Sequence, residues 1–294
     1  MKKIGIIGSD STHAEAFAKL FNIPDAKTDK FNFPGYRVSA IYGVDPERTK
    51  RFADSGKIEQ IVEKPEDMLG TVDAVMVVLR HGDLHAEHSL PFIQAGIPVW
   101  IDKPFTISCQ DARLLINEAS ARNALLTGGS SVRFAYDILL LKNIVENGSE
   151  EIGRINSGIL GMPASLSSEY GGIHFYGSHL AESAMEVFGF DPVSVYASEN
   201  NGSVVAIVSY EKYHAILNFA YSKWYGVISG DKGTVYRPID LAYSYKNSIA
   251  AFVNMMETKE IPIPFEHLYR PVALLNAVMK SLETGRKVEF AEFL

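Results

Sequence analysis

Cysteine is almost absent from this chain of 294 residues: Cys109 is the only one. A single thiol excludes a disulfide framework within the chain and a cysteine-based metal site. An excess of positive charge is missing too. Lys and Arg total 28 against 35 Asp and Glu, a net charge of -7. Binding a phosphate backbone needs a basic face, so no nucleic acid partner is expected. No apolar run approaches the roughly 20 residues that span a bilayer, and no membrane partner is expected. The opening Met1-Lys2-Lys3-Ile4-Gly5-Ile6-Ile7-Gly8 is basic and then apolar, like a secretion signal, but Asp10 and His13 cut it short. It reads as a strand, and the protein is expected in the cytoplasm. Low-complexity tracts are absent as well. The hydrophobic content of 47% is that of an ordinary globular protein, with length for one large or two ordinary domains.

What is present is an alternation of strands and helices over the first third. Lys3 to Gly8 is a continuous apolar strand of the kind buried on both faces, and Ala14 to Phe21 is helical. Tyr36 to Tyr42 is a second strand, after a surface loop over Ile23 to Gly35. A helix then starts at Pro46 with Asp45 as its N-cap. Val72 to Leu79 is the most apolar strand, His85 to Ala95 a helix, and Ser108 to Asn123 another before a strand over Ala124 to Thr127. This series predicts an α/β fold with a Rossmann-type doubly wound parallel sheet over residues 1–127. Residues 128–294 change character. Helices over Tyr136 to Asn147 and Ser178 to Phe188 are followed by strand-like runs at Val193 to Ser198, Val204 to Glu211, His214 to Tyr221 and Tyr225 to Ser229. Two helices, Asp240 to Thr258 and Tyr269 to Thr284, close the chain. They predict an α+β domain with a large, mostly antiparallel open sheet. An open sheet face suggests self-association as a homodimer or homotetramer.

Lys103 is the residue best placed for chemistry. It follows the short buried strand Val99-Trp100-Ile101, and Pro104 disfavours helical geometry there. The C-terminal end of such a strand is where open α/β sheets bind ligands; the alternative is a solvated surface lysine. Arg80 and His81 end the strongest strand in the same way, and an arginine there suits a phosphate or carboxylate. The usual dinucleotide fingerprint is only part-present. Gly8 holds the first glycine position, but Asp10 and His13 stand at the second and third. Ser9, Ser11 and Thr12 still offer hydroxyls and backbone N–H groups at a helix N-terminus, which favours anions. The acid expected after the second strand is Gly43, with Asp45 two residues on and Arg48 the nearest arginine. Losing that acid leaves room for a 2′-phosphate, so NAD or NADP is the expected cofactor.

Taken together these motifs resemble the glucose-fructose oxidoreductase, inositol dehydrogenase and rhizopine-catabolism (Gfo/Idh/MocA) family. The residues that carry the resemblance are Gly8, the run Val72 to Val78, His85, Ala95-Gly96-Ile97-Pro98-Val99, Asp102-Lys103-Pro104 and Gly171 to Glu182. The resemblance implies hydride transfer between a nicotinamide cofactor and a hydroxyl or ketone carbon of a sugar-like or cyclitol substrate. Lys103 would match the lysine of the family's Glu-Lys-Pro motif, with Asp102 in the glutamate's place, and His179 would match its active-site histidine. Lys103 and His179 are therefore the expected catalytic acid/base pair. Phe175 stands where the family commonly has an aspartate. His174 and Tyr176 flank it and lie on one side if this segment is extended; both are expected substrate contacts. Glu182, one helical turn from His179, and Arg133 are further substrate-binding candidates. A metal held by His174, His179 and Glu182 is not expected, because no helical His-x-x-x-His pair is present. The alternative function is a non-catalytic family member that senses a nucleotide or sugar.

Overall fold

The computed structural model describes residues 1–220 and 223–294. It divides into two compact units. Unit 1 comprises Met1–Thr106, Gln110–Gly128 and Ser248–Phe265; unit 2 comprises Ile107–Cys109, Gly129–Asn247 and Glu266–Leu294. The division after Gly128 falls where the composition changes, and the segment from Ser248 rejoins unit 1.

Unit 1 carries β1 (Lys2–Ile7), α1 (Thr12–Asn22), β2 (Tyr36–Tyr42), α2 (Pro46–Gly56), β3 (Gln60–Ile61), β4 (Ala74–Val77), α3 (Asp83–Gln94), β5 (Val99–Ile101), α4 (Cys109–Arg122, mostly in this unit) and β6 (Leu126–Gly128). The sheet order is β3-β2-β1-β4-β5-β6 and every pairing is parallel. This is the doubly wound arrangement predicted from the alternation, and its order reverses between β1 and β4. The crevice outside the strand ends at such a reversal is where these sheets take ligands. Ile4, Ile6, Ile7, Val75, Met76, Val77, Val99, Trp100 and Ile101 are all buried, as continuous apolar strands require. Asp45 caps α2 by accepting the Arg48 N–H, a contribution of about 1 kcal/mol.

Unit 2 holds α5 (Tyr136–Asn147), β7 (Ile155–Gly161), α6 (His174–Phe188), β8 (Ser194–Asn200), β9 (Ser203–Ser209), β10 (His214–Asn218), β11 (Tyr225–Gly230), β12 (Thr234–Pro238), the start of α7 (Ser244–Thr258), α8 (Phe265–Thr284, from Glu266 on) and β13 (Val288–Glu289). Its sheet runs β12-β11-β7-β10-β9-β8-β13. Every pairing is antiparallel except β10 with β7. The predicted strand beginning at His214 ends at Asn218, and Tyr221 lies outside the described residues. Alternate residues Val204, Ala206 and Val208 of β9 are buried while Val205 and Ile207 are exposed. One face of the sheet is thus packed and the other is open. The short β13 edge was not anticipated.

One segment differs in a way that changes the site. The predicted helix began at Ser178, but α6 begins at His174. Gly171 and Gly172 both have positive φ, +93° and +60°, so the chain turns there and the helix starts directly afterwards. His174 and Tyr176 are therefore two helical positions apart and do not share a face. His174 is buried, whereas Tyr176 is 45% exposed.

Candidate active site

In unit 1 the chemistry gathers at the C-terminal ends of β1, β4 and β5. Gly8 has φ +115°, and a Cβ there would lie 2.8 Å from Leu79 N; only glycine makes this turn without strain. Ser9 is buried and its hydroxyl bonds Thr49 Oγ1 at 2.8 Å. Asp10 does not cap the helix. Its Oδ2 accepts the Arg80 backbone N–H at 3.0 Å, tying the turn after β1 to the end of β4. Its Oδ1 is buried with no hydrogen-bond partner among the described residues. Ser11 is the N-cap of α1 and accepts the His13 N–H, with Thr12 the first helical residue. His81 lies 3.8 Å from Asp83 at the start of α3. At position 43 a Cβ would lie 1.9 Å from Ser9 Oγ and 2.3 Å from Thr49 Oγ1. The acid is missing there because the Ser9–Thr49 pair occupies its space.

Lys103 is no surface lysine: it is 5% exposed, beside a nearly inaccessible Asp102. The Asp102 carboxylate accepts from His13 Nδ1 at 2.5 Å and also from the Lys103 backbone N–H. Burial pushes the Asp102 carboxyl up, but His13 and Lys103 outweigh it and hold it below the ordinary value. On the other side of Lys103, fully buried His85 sits 2.7 Å from the carbonyls of both Leu79 and Pro104. The doubly protonated ring would match two carbonyls best. Burial weighs more and pushes the His85 pKa down, against those carbonyls and the Asp102 charge.

In unit 2 the turn after β6 meets α6. A Cβ on Gly129 would lie 2.3 Å from Glu182 Oε2, so glycine admits the carboxylate to the backbone. Glu182 accepts the Ser130 N–H at 2.7 Å, and Ser130 Oγ lies 2.7 Å from His179 Nδ1. Arg133 is buried; its guanidinium is 3.3 Å from Glu182 and 3.7 Å from Glu186, and donates to the His267 carbonyl. Arg133 and Glu182, both expected at a substrate, are thus bonded to one another as a buried brace beneath His179. The His179 ring lies against Tyr176 and Trp224, at 5.7 and 5.4 Å between centroids. Tyr176 and Trp224 also line an open cavity of about 650 Å³ with Pro163, Ala164, Ser165, Asn201, Gly202 and Ser203. Phe175 packs between Tyr170 and Tyr176, so an aromatic cluster stands at the position where the resemblance would place an aspartate. Sequence reasoning missed Ser130 as the partner of His179; its one signal was the run Gly128-Gly129-Ser130-Ser131. It also missed the β8–β9 turn at Asn201–Ser203, which carries no motif.

Residues 2–130 match the model of the oxidoreductase family with an NAD-binding Rossmann fold, Gfo/Idh/MocA. That stretch is less than half of the chain, and over it the sequence is similar to that family. It is similar to the scyllo-inositol 2-dehydrogenase (NADP(+)) of Bacillus subtilis, 25% identical over 232 residues, 73% of this chain and 62% of that protein. The matched stretch is thus less than two thirds of that relative's length. Among solved structures it resembles scyllo-inositol dehydrogenase from Lactobacillus casei with bound NAD(H) and scyllo-inositol, with a TM-score of 0.83 and 18% identity over 99% of each chain. It also resembles myo-inositol 2-dehydrogenase from Lactobacillus plantarum, with a TM-score of 0.84 and 17% identity over 98% of this chain and 99% of that one. At these identities the likeness establishes the fold.

Proposed function

We propose that this chain is an NAD(P)-dependent oxidoreductase that moves a hydride between the nicotinamide and a carbinol carbon of a cyclitol or sugar-like substrate. The observation that carries the reading is Lys103, buried at the ligand-binding edge of a doubly wound sheet and anchored on both sides. The relatives named as inositol dehydrogenases support the cyclitol class. A dinucleotide fits the residues present: Gly8 makes the turn, Ser11 caps α1, and the positive N-terminal end of α1 favours an anion. The buried, unpartnered Asp10 Oδ1 suits a ribose hydroxyl donor and not a phosphate oxygen. Absence of an acid at Gly43 admits either NAD or NADP. The cofactor supplies the hydride acceptor or donor.

The chain's own residues handle the proton. Oxidation takes the hydroxyl proton as the hydride leaves carbon. With His179 Nδ1–H donated to Ser130 Oγ, Nε2 bears the lone pair and accepts that proton. The Lys103 ammonium stabilises the developing alkoxide charge. Tyr176 and Trp224 offer aromatic faces to the C–H side of a ring substrate. The test is formation of reduced nicotinamide from scyllo- or myo-inositol. Lys103→Ala and His179→Ala should each lower kcat/KM by about 10²–10⁴ while dinucleotide affinity stays nearly unchanged. Full activity in either variant would refute its assignment.

The reading includes a homo-oligomer in the cytoplasm. Pairing registers align Tyr236, Val227, Ile159, Ile216, Ile207 and Tyr196 in one apolar row across six strands of the unit 2 sheet. The row includes exposed Tyr196, Ile207 and Tyr236, which supports packing of a second copy on this face.

A further inference from the structure

His13 and Asp102 stand at two positions that depart from the motifs the sequence otherwise follows, and they meet. His13 occupies the third glycine position, in the first turn of α1. Asp102 replaces the glutamate ahead of Lys103, one methylene shorter. Both side chains are buried and 2.5 Å apart, and the same carboxylate takes the Lys103 backbone N–H. The imidazole reaches from the helix to where the shorter acid ends. We propose that His13 is a positioning residue for Lys103 that acts through Asp102, so that the pair fixes the direction of the lysine and sets its proton affinity.

One shared carboxylate couples His13 to Lys103. A buried carboxylate seeks every cation within reach. With His13 bonded to it, Asp102 divides its charge between an imidazole and the lysine beside it. Without His13 more of that charge acts on Lys103 and holds its proton more firmly; without the carboxylate, Lys103 loses a stabilising partner and releases its proton sooner. Within unit 1, Lys103 and His85 from α3 act electrostatically on Asp102 alongside His13. The two substitutions therefore shift Lys103 in opposite directions, which a packing role would not do.

This inference rests on the proposed function only for its consequence in turnover, so the test reads Lys103 itself. The full chain is labelled with carbon-13 at lysine Cε, the Lys103 signal is assigned by its loss in Lys103→Met, and its titration is followed by NMR. His13→Ala should raise the Lys103 midpoint by about one pH unit and Asp102→Asn should lower it by a similar amount. His13→Gln, which keeps an N–H donor, should fall between His13→Ala and the unsubstituted chain, and tests the idea if the alanine variant does not fold. Shifts of the same sign in His13→Ala and Asp102→Asn, or unmoved midpoints, would overturn it. NADH and NADPH titrations on the same samples separate the two claims: failure to bind either defeats the proposed function and leaves the Lys103 shifts to stand or fall alone.

Discussion

His179 and its partners show how small residues decide what larger ones do. Gly129 lets Glu182 reach the backbone, Glu182 and Arg133 brace the first turns of the segment after β6, and Ser130 is thereby held against His179. Ser130→Ala should lower kcat about tenfold with little change in KM, since it removes an orienting bond and no substrate contact; steady-state kinetics decide it, and a change confined to KM would refute it. Gly43 gives a second prediction. Gly43→Asp alone would push against the Ser9–Thr49 pair and should lower stability without improving NAD binding. Gly43→Asp with Ser9→Gly should fold better than the single variant and favour NAD over NADP, as read by thermal unfolding and calorimetry. His85 gives a third. Its folded pKa is depressed, so the unfolded chain takes up a proton that the folded chain refuses. Stability is present above the ordinary histidine value and lost as pH falls below about 6.5, by at most about 1.4 kcal/mol per pH unit. Urea unfolding between about pH 5 and pH 7 should show this slope reduced in His85→Gln; an unchanged slope would mean the buried ring is already charged.

At the scale of elements, the strands of the first unit were legible because their chemistry is uniform. Val75 to Val77 and Val99 to Ile101 have only apolar side chains to bury, and Asp45-Pro46 announces α2 residue by residue. The place of Lys103 at the end of β5 was legible for the same reason, since Pro104 and a strand end mark it locally. The start of α6 was not. Gly177 inside Ile173-His174-Phe175-Tyr176-Gly177 looks like a loop residue, yet it lies in the helix because a neighbour packs there: a Cβ would meet Ile173 and Phe219 at 3.2 Å. That is tertiary information, carried by residues distant in sequence. Gly177→Val should therefore destabilise the protein by about 1–3 kcal/mol through overpacking, measured by denaturant unfolding; a stabilised variant would contradict this packing. The His13–Asp102 contact was hidden in the same way. Each residue looked like a defect in its own motif, and only the fold brings the two together.

At the scale of the whole molecule, one sheet supplies a ligand edge and the other an open apolar face. No helix among the described residues is long and apolar enough to cross a membrane. The exposed row on the second sheet is the face on which a second copy is proposed to pack. Ile207→Glu or Tyr196→Glu should convert an assembly to monomers in sedimentation velocity while leaving the fold intact; an unsubstituted chain that is already monomeric at high concentration would refute the packing. The central claim is that the edge of the first sheet, with two of three fingerprint glycines replaced, still holds a nicotinamide dinucleotide over Lys103. Calorimetric titration with NAD, NADH, NADP and NADPH tests it most directly. The account predicts binding well below millimolar for at least one of them, with the 2′-phosphate forms bound no more weakly than the others. No binding below millimolar by any of the four would contradict it.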